Sequence, residues 1–175
     1  MKMKITEISK TDYSVSDDYM NPEFNSEQLK YIQKTDTISV AGRNVSVGKV
    51  VSSECFYMEK DGFLIMYVEG DIFADGIQVH SSWRDVNDRF GGSKETEKLI
   101  GPLYTELVKK YGTVYSDDLQ TDDGQFLWMR LLVQAKNKGY EVGYYFKGEH
   151  TNIQNPHNID FIWENPDYIL YISKP

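Results

Sequence analysis

The 175-residue sequence has a single cysteine, Cys55. No intramolecular disulfide can therefore form, and no thiolate zinc cluster can be assembled. Cys55 stands in SSECFYM between strand-forming residues, so it reads as a small buried apolar side chain rather than a nucleophile. Long apolar runs are also missing: none approaches the roughly 18 residues that span a bilayer. The opening MKMKITEISK has no signal-peptide apolar core, and the expectation is a cytoplasmic protein with no membrane contact. Positive charge is scarce, with 19 Lys and Arg against 27 Asp and Glu and a net charge of −8. That balance argues against direct nucleic-acid binding, which ordinarily uses a basic face to neutralise phosphates. An acidic surface keeps a protein dissolved, and it can also face a basic partner or imitate nucleic acid toward a protein that binds it. Histidines number only three. His150 and His157 are spaced too far apart for a helix-borne metal pair, and Asp117-Asp118 with Asp122-Asp123 lacks the alternation and terminal Glu of a calcium loop. No metal is expected.

What is present is enough apolar and aromatic residue, 40% and 14%, for one full core. One domain is expected over 1–175, with an N-terminal strand and loop or helix segment at 1–35 and a core at 36–175. Met1 to Ser9 reads as a strand. Lys10 to Glu27 reads as a packed loop broken by Pro22, with one short helical turn and Ser26 as a possible cap. Thr37 to Val40, Val45 to Tyr57, Phe63 to Val68 and Phe73 to Val79 read as a meander of about four antiparallel strands, with Asp61-Gly62 as a hairpin turn. Ser93 is a candidate cap for a helix entered at Glu95 to Glu97. Gly101-Pro102 interrupts that helix or starts another.

The stretch Lys98 to Arg130 organises the rest. Leu99, Ile100, Leu103, Leu107 and Val108 recur at helical spacing and Gly112 closes the helix. Thr113 to Tyr115 suits a short buried strand, Asp117 to Asp123 supplies turns, and a second amphipathic helix follows to about Lys138-Gly139. Tyr140 to Phe146 reads as a strand and Lys147 to Pro156 as a polar loop. Phe161 to Trp163 and Tyr168 to Ile172 give one or two final strands. Trp128 is expected in the core.

This order, and in particular GPLYTELVKKYG followed by a strand ending in SDD and a helix carrying GQFLW, resembles the GNAT acyltransferase superfamily, with phage-encoded relatives the most similar. The resemblance covers about residues 36 to 175. It implies an α+β fold, GNAT-like, with a mixed and mostly antiparallel central sheet and helices on both faces. It also implies an acyl-coenzyme A-dependent N-acyltransferase, with acetyl-coenzyme A as cofactor and an amine-bearing small molecule or protein as acceptor. In that superfamily a Gln/Arg-x-x-Gly-x-Gly/Ala loop opening a helix holds the pyrophosphate through free N–H groups and the helix dipole. Carried over, this assigns cofactor binding to Arg89, Gly91, Gly92, Ser93 and Lys94, although Lys94 stands where Gly or Ala is expected. A second alignment uses Lys98 to Gly101, but Pro102 then removes an N–H. For proton abstraction from the amine the resemblance points to Glu69 and Asp71, at the end of the central apolar strand. Asp117 and Asp118 fit turns better, Tyr104 and Tyr115 are the phenols near the core, and His80 is a further possible base. The incomplete loop, Pro102 and the acidity point equally to an alternative, a catalytically inactive acidic binding protein that inhibits a host or defence protein.

Overall fold

The computed structural model describes residues 15–117 and 122–175. The expected strand at Met1 to Ser9, and Asp118, lie outside the described residues. Two short helices come first, α1 (Val15–Met20) and α2 (Pro22–Tyr31). Pro22 opens a helix instead of breaking one, because its fixed φ suits the first turn and its missing N–H has no partner to lose there. The cap is Asn21, not Ser26: its side chain accepts from the Glu23 and Phe24 amides at 2.9 and 3.2 Å. Asn25 is fully buried on the inner side of α2. Its amide donates to the Tyr19 and Leu64 carbonyls and its oxygen accepts from Leu64 N–H, so one side chain ties both helices to the sheet.

The meander has five strands: β1 (Gln33–Val40), β2 (Arg43–Val50), β3 (Ser53–Lys60), β4 (Phe63–Phe73) and β5 (Gly76–Arg84). Val45 to Tyr57, expected as one strand segment, is divided by a turn at Val51-Ser52, where Val51 takes φ 56° and serine, a weaker turn former than Gly, Asn or Asp, is the signal present. Asp61-Gly62 turns as expected, with φ of 51° and 83°. Then follow α3 (Ile100–Tyr111), β6 (Thr113–Tyr115), α4 (Asp122–Asn137), β7 (Glu141–Phe146), β8 (Glu149–Asn152), α5 (Asp160–Trp163) and β9 (Ile169–Ser173). The helical periodicity of the central stretch holds: Leu99, Leu103, Leu107 and Val108 are all buried, and Gly112 closes α3 at φ 85°. Lys147 to Pro156 contains β8, and Phe161 to Trp163 belongs to a short helix instead of a strand.

The strands form one sheet in the order β1-β2-β3-β4-β5-β6-β9-β7-β8. Only β5 and β6 pair in parallel, over Ile77↔Val114 and Gln78↔Tyr115. The expected GNAT-like class, with helices layered on both faces, needs correction. A nine-stranded, mostly antiparallel sheet dominates the chain, and its two faces are treated differently. Alternation turns Val47, Phe56, Met66, Ile77, Val114, Val142 and Ile172 to one face, where Leu103, Leu107, Trp128 and Leu132 of α3 and α4 complete the main core. The other face is covered over β3 to β5 by α1 and α2, with Tyr19 stacked on Trp83 and tilted against Tyr67. Among the described residues, no helix continues that cover over β6, β9, β7 and β8. Nor is any helix there long and apolar enough to cross a membrane.

Candidate functional site

The glycine loop follows β5 and does not open a helix. Residues 85–99 run through successive turns, and α3 begins only at Ile100, so the positive end of a helix dipole is not placed at Ser93. Ser93 caps nothing. Its amide and hydroxyl both donate to the Asp88 carboxylate, at 3.1 and 2.9 Å, and hold that carboxyl below the usual range.

At the centre of the loop stands Asp85, fully buried. One of its oxygens accepts from the Arg89 amide at 2.8 Å, and the other from the Phe90 and Gly92 amides at 2.9 and 3.1 Å. Three N–H groups that a pyrophosphate would need therefore already converge on an internal anion. The Gly91 carbonyl accepts from Lys60, whose ammonium also pairs with Glu95 at 2.7 Å. Gly92 lies against Ile65, and a Cβ there would sit 2.4 Å from the Ile65 Cβ. Glycine at 92 is thus a packing requirement, while Arg89 and Lys94 point outward as exposed side chains. As arranged, this loop does not fit a phosphate.

Glu69 and Asp71, in contrast, are brought together. A β-bulge opposite Glu69 and Gly70 inserts His80 between Val79 and Ser81 of β5. Its Nε2 lies 4.0 Å from a Glu69 oxygen and 3.7 Å from an Asp71 oxygen. Tyr67 donates to the other Glu69 oxygen at 2.7 Å, and Ser53 donates at 2.6 Å to the same Asp71 oxygen that faces His80. Burial, and next the Glu69 charge, push the Tyr67 hydroxyl above its ordinary range, and the same two causes push the Cys55 thiol up to about 12. Cys55 is a protonated core residue. The two acids and the imidazole stand together at a partly exposed place on the sheet. Sequence order concealed it, because the bulge that delivers His80 has no local signature.

Tyr104 is buried edge-on against Trp128, with centroids 5.6 Å apart, and burial raises its hydroxyl out of the range of a useful acid. Tyr115 is half-buried at the end of β6. It donates to Asp75 at 3.1 Å and lies 3.0 Å from His150 Nε2. The turn reading of Asp117 is consistent with its place just after β6. Among the described residues, no group of three or more His, Cys, Asp or Glu side chains is placed to hold a metal ion.

No protein-family model matches the chain, and no curated protein matches it.

Proposed function

We propose that this chain works by binding another protein, as an acidic module in which an acyltransferase-type loop has become part of the structure. The observation that carries this reading is Asp85: a buried carboxylate takes the amides of Arg89, Phe90 and Gly92, leaving them none to offer a cofactor. The net charge of −8 supports a basic surface on the partner. The resemblance to phage proteins suggests the class, a host or defence protein met in the cytoplasm.

A second reading, an acyl-coenzyme A-dependent N-acyltransferase, is favoured by one specific arrangement. Glu69 and Asp71 flank His80 where an amine could lose a proton, and the parallel pairing of β5 with β6 covers only two residue pairs beside them.

Calorimetric titration of the purified protein with acetyl-coenzyme A separates the two. The expected result is no saturable binding up to millimolar cofactor, with Arg89→Ala and Lys94→Ala indistinguishable from the parent. Saturable micromolar binding that either variant weakens would overturn the binding-module reading.

A further inference from the structure

We propose that the sheet face carrying Tyr115, Tyr145 and His150 docks an arginine- or lysine-rich segment of a partner protein. The inference rests on the binding-module reading and locates its surface.

The face follows from register. Thr113 and Tyr115 of β6 pair with Ser173 and Tyr171 of β9, Glu141, Gly143 and Tyr145 of β7 pair with Ser173, Tyr171 and Ile169, and His150 and Asn152 of β8 pair with Tyr145 and Gly143. Because paired residues share a side, these all look away from Val114, Val142 and Ile172 in the core. No lysine or arginine stands on this side of the four strands. The rims carry Glu141, exposed, and Asp75, exposed at the turn before β5.

The aromatic rings are held in place. Tyr171 lies over Gly143, whose missing Cβ would fall 2.6 Å from the Tyr171 hydroxyl, and that hydroxyl donates to Asn152 at 2.6 Å. His150 sits 4.9 Å from the Tyr171 ring and 5.0 Å from the Tyr145 ring. Tyr115 is fixed between Asp75 and His150 by its hydroxyl. The result is a buried Tyr171 that supports the partly exposed rings of Tyr115 and Tyr145 and the exposed His150, with carboxylates at the margin. A guanidinium or ammonium is attracted to the ring faces and to the carboxylates together, whereas an acidic or purely apolar segment meets only one favourable term or none. The same side over β3 to β5 is covered by α1 and α2, so among the described residues the part without a helix begins beyond β5.

The test uses the full chain and a fluorescein-labelled nona-arginine peptide, followed by fluorescence anisotropy. The parent protein is expected to bind with micromolar affinity. Tyr145→Ser, which leaves net charge unchanged, and Asp75→Asn are each expected to weaken binding about tenfold, from loss of one cation–π or charge-assisted contact. Tyr145→Phe is expected to keep the affinity, since it keeps the ring. Glu23→Gln, a charge change on exposed α2, serves as the control and is expected to change affinity less than twofold. Thermal melts establish that each variant is folded.

Equal losses in Glu23→Gln and Asp75→Asn with none in Tyr145→Ser would mean attraction to net charge alone, and would overturn the surface while leaving the binding-module reading intact. Absence of peptide binding at millimolar protein would overturn it too. Saturable acetyl-coenzyme A binding would remove the underlying reading instead, whatever the peptide does. Amide shifts in a two-dimensional NMR titration are expected to centre on Tyr115, Tyr145 and His150, and a map centred on another face would also sink the proposal.

Discussion

Asp85 and Asp75 belong to the same strand pair region, one at each end of β5, yet they do opposite things. Asp85 is closed in: its oxygens accept backbone amides of a tight loop, and no solvent reaches it. Asp75 is open: it takes one hydroxyl, from Tyr115, and stays exposed at the edge of the face that carries Tyr115, Tyr145 and His150. A carboxylate surrounded by its own chain's donors becomes part of the scaffold, because removing it strands the buried Gly92 amide and takes the acceptor from the partly buried Arg89 and Phe90 amides. The same group left on a surface with spare acceptor capacity remains available to a partner, and removing it costs the fold little.

The sharpest way to break this contrast is Asp85→Ala. It should destabilise the protein by about 2 kcal/mol or more, since the orphaned Gly92 amide is buried and costs about 1–3 kcal/mol, and the partly buried Arg89 and Phe90 amides lose their acceptor as well. Urea unfolding measures it, and a loss below about 1 kcal/mol would mean that the loop amides find other partners, reopening the cofactor reading.

Gly92→Ala comes next. The new methyl group must displace the Ile65 side chain on β4, and the expected cost is about 1–3 kcal/mol from overpacking, read from the same unfolding curves. A neutral outcome would show that glycine is held at 92 for some purpose other than packing.

The smallest effect is expected from Asp75→Asn, which should change stability by less than about 0.5 kcal/mol, as exposed substitutions usually do. A loss comparable with that of Asp85→Ala would abolish the distinction between a structural and an available carboxylate.

The parts that were legible from sequence are those with a local cause. The spacing of Leu99, Leu103, Leu107 and Val108 marked α3, and Gly112 marked its end, because a helix face repeats along the chain and only glycine adopts φ 85° without strain. Asp61-Gly62 marked its hairpin, and Cys55 and Trp128 were placed in the core from their neighbours alone. β8 escaped notice because all four of its residues are exposed, so no alternation of apolar and polar residues announces it. The Val51 turn escaped because a β-branched residue rarely takes positive φ.

The candidate sites divide the same way. A glycine motif written as Arg89-Phe90-Gly91-Gly92-Ser93-Lys94 is visible in one dimension, but which acceptor its amides meet is not. Asp85 lies only a few residues upstream and reads in sequence like any turn aspartate. Glu69, Asp71 and His80 come from two strands and meet through a bulge, and Tyr115, Tyr145 and His150 come from three strands that meet across β9, the last strand of the chain, which inserts between β6 and β7.

By itself, then, the amino-acid sequence determined the acidic balance, the single thiol, the long α3 helix, the tight hairpin and most of the residues that fill the core. These follow from composition and from contacts within a few residues. Only the tertiary structure decided that a buried carboxylate would occupy the glycine loop, that α1 and α2 would cover β3 to β5 on one sheet face, and that Tyr115, Tyr145 and His150 would share the part of that face over which no described helix lies. The helical cover and the face beside it depend on strand order and register, set by pairing between segments far apart in the chain, whereas the Asp85 loop closes locally and is buried only because β5 delivers it against Ile65 of β4.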